Sequence, residues 1–546
     1  MTWSIASPVT LVTEVPPFLL FSITTLVLFI IWKSWASWTT ARRYSDLARQ
    51  KGCAPPKSWN AFWPLLGLDI YVKATKHARA MHLLRYRLEL FQSTGATTFA
   101  QYLLGTRSIA TSDPANMEAI LSTSFDDYGL GLRSPAFHPL LGSHGIFTQD
   151  GQAWKASRKT LRPVFSTTSS EEDGNFMAVK RCVEELAASI RQSGSDSRQR
   201  GKWTVDLQPL FFKLTFDTTL FLLFGEKVGS AADWRGVKDQ ESAFSRAFKT
   251  AQDYLAHRGR LGSYYWLLND KAFREACRTC HQFVDEAVDK ALRSIEDEKR
   301  DSSSYVLIDA LAQKTQDRNV LRDQTLNVLL AGRDTTGCCL AWTFRLLARH
   351  RDTFNRLRNE VESVCALGVE ATPLTRAQLL RDMPYLKMVI KEVLRLYPSV
   401  PANTRDAVRD TVLPTGGGPD GQQPVLVHAG ERVGYSVYAM HRRKDIYGED
   451  ADLFRPERWS EQHLQSVGWA YLPFNGGPRI CLGQEFALLE VYYTVARLIQ
   501  LFPDMETPLG DAYMPEGEER QALTLVVSPA DGCRVTMRER SAVVTR

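Results

Sequence analysis

Ten residues near the C-terminus, Phe474-Asn475-Gly476-Gly477-Pro478-Arg479-Ile480-Cys481-Leu482-Gly483, constrain this chain more than any other feature. They follow the pattern F-x-x-G-x-R-x-C-x-G. Glycines at such positions let a backbone approach a flat, bulky object closely. An arginine two residues before a cysteine favours the thiolate and can also pair with a carboxylate. Together these suit a thiolate ligand to haem iron. On residue type alone a buried structural cysteine is the commoner case, but five specified residues in ten seldom coincide by chance.

Other motifs precede this loop. Glu392-Val393-Leu394-Arg395 places a glutamate and an arginine three apart on one helix face, where an ion pair can reach a third group. Phe454-Arg455-Pro456-Glu457-Arg458-Trp459 follows it. Upstream, Ala331-Gly332-Arg333-Asp334-Thr335-Thr336 lies inside Gln324 to Leu347, a mostly apolar stretch long enough for a central helix. Trp154 and Arg158 stand at i, i+4, which sets indole and guanidinium on one helix face. Each motif alone has a plain reading as a solvated helix pair or a tolerated polar residue.

In this order, from about residue 60 to the C-terminus, the motifs resemble the cytochrome P450 family. The resemblance implies a mainly α fold with a smaller β region around haem b, with the Cys481 thiolate as axial ligand. Thiolate donation favours O–O cleavage, as is known of this family. Asp334 and Thr335 resemble the acid and hydroxyl that deliver protons, and Gly332 is expected to relax the helical ladder and leave room for O2 and water. Trp154, Arg158, Arg405 and Arg479 resemble donors to the haem propionates, and Phe474 is a further cofactor contact. Glu392, Arg395 and Arg458 resemble a buried structural cluster. The implied activity is insertion of one oxygen atom from O2 into an unactivated C–H bond, with electrons from a separate NADPH-cytochrome P450 reductase.

The N-terminus implies a membrane. No charged residue occurs from Val15 to Trp32, and Phe18 to Trp32 is almost wholly apolar, near the shortest length that spans a bilayer. Trp32, Trp35 and Trp38 resemble an interfacial belt, and Lys33, Arg42, Arg43, Arg49 and Lys51 follow on the side expected to stay cytosolic. The expected organisation is a lumenal segment at 1–14, a single-pass anchor at 15–32, a linker at 33–60 and a catalytic domain at 61–546 on the cytoplasmic face of the endoplasmic reticulum. Net charge of +6 on 546 residues, with no dense basic run, gives no case for nucleic acid. Nine scattered cysteines in a reducing compartment argue against a disulfide framework. Cys277-Arg278-Thr279-Cys280-His281 matches C-x-x-C-H, the spacing of covalent haem attachment, but reads as part of an amphipathic helix from Lys271 to Arg293.

Along the body, a helical pattern spans Val72 to Phe91, and Thr97 to Leu103 and Arg107 to Ala110 alternate like two strands of a hairpin. Asp113-Pro114 starts a helix. Phe125 to Gly145 reads as a loop that, by the resemblance, covers the substrate. Thr415 to Gly421 lacks the Lys and Ser/Thr of a phosphate cradle and reads as a hairpin turn. Tyr385 to Leu489 resembles the fungal branch that hydroxylates n-alkanes and fatty acids at the chain end. Tailoring of a secondary metabolite with an aliphatic arm is the alternative, and a non-oxygenating haem isomerase or sensor is a third.

Overall fold

The computed structural model describes residues 17–59, 67–103, 105–165, 174–193, 202–225, 237–296, 307–368, 371–511 and 514–538. The expected lumenal segment 1–14 and the first two residues of the span at 15–32 lie outside these. A long helix, α1 (Pro17–Gln50), leads into strand β1 (Lys57–Ser58). The single helix read over 72–91 is two, α2 (Leu68–Arg79) and α3 (Leu83–Thr94), because the backbone turns left-handed at Met81 with φ 62°. Strands β2 (Thr98–Leu103) and β3 (Thr106–Thr111) form the expected hairpin, with Thr98 opposite Thr111. Asp113 then accepts from Ala115 N–H and Pro114 occupies the first turn of α4 (Pro114–Glu118).

The segment 125–145 corrects the loop reading. After β4 (Tyr128–Gly129) it folds helix α5 (Arg133–Leu141), despite Pro139 in its interior. The helical body continues through α6 (Gly151–Phe165), α7 (Gly174–Ser193), strand β5 (Lys202–Asp206), α8 (Leu207–Phe224), α9 (Val237–Leu261), α10 (Lys271–Glu296) and α11 (Leu307–Ala312). Helix α8 is apolar enough to cross a membrane, but most of it is buried in the body, packed along the next helix. That helix, α12 (Arg318–Arg349), is capped by Asp317 and buried nearly all round from Leu321 to Leu347. A helix with no solvent face belongs at the centre of a large body.

Three more helices, α13 (Arg351–Val364), α14 (Arg376–Arg381) and α15 (Pro384–Leu396), precede the smaller β region. There β6 (Ala402–Ala407), β7 (Thr411–Gly417), β8 (Gln423–Val427) and β9 (Arg432–Ser436) follow in sequence. Strands β6 and β9 complete a sheet ordered β1-β2-β3-β9-β6-β4, and β7 with β8 is the hairpin expected at 415–421. Short helices α16 (Val437–Met440) and α17 (Lys444–Tyr447) lead to the cysteine loop and α18 (Gln484–Leu501). Strands β10 (Asp504–Glu506), β11 (Gln521–Leu523), β12 (Val527–Pro529) and β13 (Arg534–Arg538) end the described chain. One core cluster joins α7, α8, α10, α12, α15 and α18, and a second backs the large sheet.

Candidate active site

Cys481 stands just before α18, and its N–H donates to the Phe474 carbonyl at 3.0 Å, closing the loop. Gly477 has φ 63°, and a Cβ there would collide with the Leu121 carbonyl; a Cβ at Gly476 would strike the Trp469 ring. These two glycines let the loop pack on protein, so the expectation that they serve close approach to a flat object is corrected for both. Cys481 keeps accessible surface, yet burial raises its thiol pKa, opposed by the Gly483 N–H and the Arg158 charge.

Guanidiniums gather beside this loop. Arg158, on α6, donates to the Ile480 carbonyl at 2.9 Å, and its charge lies against the Trp154 ring. Arg479 stacks over the same indole at 4.3 Å and donates to Asp150 Oδ1 at 2.6 Å. Arg405, on β6, is buried and turns back onto the Thr404 carbonyl at 2.8 Å. Arg133, on α5, was not singled out in the sequence; no motif marks it. It donates to Asn403 Oδ1 at 2.8 Å, and its buried Nε has no hydrogen-bond partner. Burial, then the Arg405 and Arg479 charges, lower its pKa to about 9; burial, with Arg405 and Arg158 nearby, lowers Arg479 to about 10. Among the described residues, Asp150 is the one carboxylate bonded within this cluster. Such an excess of positive charge, buried at Arg405 and half-buried at Arg133, Arg158 and Arg479, fits an anionic group.

The Asp334–Thr335 motif lies within α12. Thr335 Oγ1 donates to the Ala331 carbonyl at 2.7 Å, and the Thr335 carbonyl accepts from Ser399 Oγ at 2.9 Å. Asp334 faces elsewhere: it pairs with Arg333 at 2.8 Å, beside Phe212 of α8 and Phe248 of α9. Burial raises its pKa against the pull of Arg333. Asp334 and Thr335 share no hydrogen bond. At Gly332 a Cβ would collide with Thr219 of α8, so this glycine lets α12 pack closely on α8.

Behind the site, Glu392, Arg395 and Arg458 are wholly buried. Arg395 pairs with Glu392 through Nε at 2.9 Å and Nη2 at 2.8 Å, and Arg458 Nε reaches Glu392 Oε1 at 2.8 Å. Trp459 Nε1 and Arg455 N–H also donate to this carboxylate. Every lone pair is used, which is the condition for a buried ion cluster to hold. Cys277 and Cys280 are buried on α10, where His281 Nε2 bonds the Leu140 carbonyl at 2.9 Å, so they join the core.

The geometry defines a class: a helical protein that holds an acidic prosthetic group through one thiolate. A model described as Cytochrome P450 matches residues 56–531. A cytochrome P450 of Arthroderma benhamiae is 52% identical over 517 residues, covering 93% of this chain and 97% of that one. Cytochrome P450 52A12 of Debaryomyces hansenii is 41% identical, covering 87% and 90%, and cytochrome P450 52A5 of Candida maltosa 42%, covering 81% and 82%. Among solved structures, the cytochrome P450DA heme domain matches with a TM-score of 0.68 at 21% identity, covering 90% of this chain and 97% of that one. The chain belongs to the cytochrome P450 family. It is a haem-thiolate monooxygenase with Cys481 as the axial ligand of haem b, served by a redox partner and acting on a hydrophobic substrate.

Proposed function

We propose that this monooxygenase hydroxylates the end of an aliphatic chain, that of a fatty acid or an n-alkane. The observation that carries the reading is the likeness, at 41% and 42% identity over most of both chains, to the 52A cytochromes of Debaryomyces and Candida, together with the resemblance of Tyr385 to Leu489 to the alkane-hydroxylating fungal branch. Haem, when bound, supplies the activation of O2; the chain does the rest. Cys481 ligates it, Phe474 packs in its loop, and Arg133, Trp154, Arg158, Arg405 and Arg479 donate to its two propionates. Asp334, its pKa raised by burial against the pull of Arg333, relays a proton through water to the Thr335 hydroxyl. Glu392, Arg395 and Arg458 position α15 behind the loop.

Electrons come from NADPH-cytochrome P450 reductase on the same membrane. The anchor is the first half of α1, within the expected span at 15–32, where Phe21, Leu28, Ile31 and Trp32 are each more than half exposed, as is Trp35 just beyond it. Such side chains on a lone helix want lipid. The endoplasmic reticulum, with residues 61–546 in the cytosol, is the expected site. The test offers hexadecanoate and n-hexadecane to membranes holding this protein and reductase, with products identified by mass spectrometry. Chain-end alcohols are expected; oxidation confined to mid-chain positions, or none, would overturn the reading.

A further inference from the structure

A closed frame of buried contacts aims Ser399 at the oxygen motif. This serine lies between α15 and β6, is itself buried, and its hydroxyl has one partner among the described residues, the Thr335 carbonyl at 2.9 Å. Its own carbonyl accepts from Val527 N–H of β12 at 3.1 Å, and the Val527 carbonyl accepts from Trp342 Nε1 at 3.1 Å. Trp342 stands two turns beyond Thr335 on the same face of α12, so the frame starts and ends on that helix. The Trp342 indole also stacks on Tyr397 at 3.8 Å with the rings 7° apart, and Tyr438 N–H holds the Pro401 carbonyl at 2.9 Å.

These contacts fix residues 397–401 without help from the Ser399 hydroxyl. Nor does the Thr335 carbonyl need a side-chain donor, because inside a helix the N–H four residues on, here that of Cys339, already serves it. A second donor on the same oxygen competes with the ladder and loosens it. From α8, the wholly buried Thr215 sets its hydroxyl on the Arg333 carbonyl at 2.6 Å. Positions two apart lie on nearly opposite sides of a helix, so the turn that carries Asp334 and Thr335 is gripped from both.

We propose that Ser399 is a positioning residue for proton delivery: through the Thr335 carbonyl it sets the tilt of that peptide, and with it where the Thr335 hydroxyl stands when it leaves Ala331 for water. This rests on the reading that Thr335 hands on a proton. It extends the machinery to the segment after α15, where no motif marks a role.

The test compares Ser399→Ala, Thr335→Ala and the double variant in the full chain with haem and reductase, given hexadecanoate, following product, NADPH and hydrogen peroxide. Hydrogen exchange at the Cys339 amide is read on the same proteins without turnover. Ser399→Ala is expected to lower product per NADPH about fivefold, the effect of one hydrogen bond, with peroxide making up the difference. The double variant should couple no worse than Thr335→Ala, since one residue acts through the other. In Ser399→Ala the ladder closes, and the Cys339 amide should exchange about fivefold more slowly, whereas loss of a mere brace would speed it. Ser399→Thr keeps the hydroxyl and should restore both readouts. Wild-type coupling in Ser399→Ala beside an uncoupled Thr335→Ala, losses that multiply in the double variant, or faster Cys339 exchange overturns the positioning role. Wild-type coupling in Thr335→Ala overturns the proton-delivery reading beneath it. Failure to turn over hexadecanoate overturns the chain-end reading and leaves the exchange rates to decide on Ser399.

Discussion

Thr335 is held from two directions. Its hydroxyl donates back to Ala331 O, four residues earlier, and its carbonyl receives Ser399 Oγ from the segment after α15. A threonine bonded to its own helix in this way can release the hydroxyl to water at small structural cost, since such back-bonds add little stability. Thr335→Ala should therefore fold normally but lose the hydroxyl proposed to hand on the proton. Product formed per NADPH consumed is expected to fall about tenfold, with hydrogen peroxide making up the difference, and Thr335→Ser should stay near wild type. Equal coupling in all three proteins would remove Thr335 from proton delivery. Asp334 is harder to place: its carboxylate turns toward α8 and α9 and engages Arg333, so any transfer between the two residues passes through water.

At the scale of elements, α12 carries side-chain hydroxyls on three alternate carbonyls: Thr335 on Ala331, Thr215 of α8 on Arg333, and Ser399 on Thr335. Bonds from outside the ladder loosen a helix where they land, and here they land on the oxygen motif. Behind it, α15 depends on Glu392. Glu392→Gln would leave Arg395 and Arg458 buried with half their compensation, a loss of about 3–5 kcal/mol. The midpoint of chemical denaturation measures it; a wild-type midpoint would show that the cluster does not support α15. Elements with strong local signals were legible: α10, α12, the β2–β3 hairpin and the turn at 415–421 all stand where pattern placed them. Helix α5 was not, because Pro135 and Pro139 argue against a helix that tertiary packing enforces. The break at Met81 was also hidden, since no glycine or proline marks it. In the site, motif spacing found Cys481 and the Glu392 cluster, but Arg133 carries no motif and reaches Arg405 and Arg479 only through folding. The roles of Gly476 and Gly477 were misread because the sequence cannot say which neighbour fills the space.

For the whole molecule, two buried titratable groups oppose each other across pH. His441 uses both ring nitrogens: Nδ1 donates to the Arg395 carbonyl at 3.1 Å and Nε2 accepts from Leu472 N–H at 2.9 Å, tying the Glu392 cluster to the approach of the cysteine loop. Burial, then the Arg395 charge, lower its pKa from 6.5 to about 3. The unfolded chain takes up this proton first, so stability drains as pH falls from about 6.5 toward 3. Glu490 works in the other direction. It is buried on α18 against α8, receives Thr218 Oγ1 at 2.6 Å, and burial lifts its pKa from 4.5 to about 8. The folded protein keeps a proton that the unfolded chain releases, so stability is full below about 4.5 and drains as pH rises toward 8. Glu490→Gln keeps the shape and removes the proton to be lost. Between pH 7 and 8, above the ordinary histidine value of 6.5, the wild-type melting temperature should decline with pH more steeply than that of the variant. Parallel decline in both proteins would assign the alkaline loss elsewhere. Because α18 begins directly after Cys481, the same titration should reach the haem site, and haem should leave the wild type faster than Glu490→Gln at pH 8 and at equal rates at pH 5.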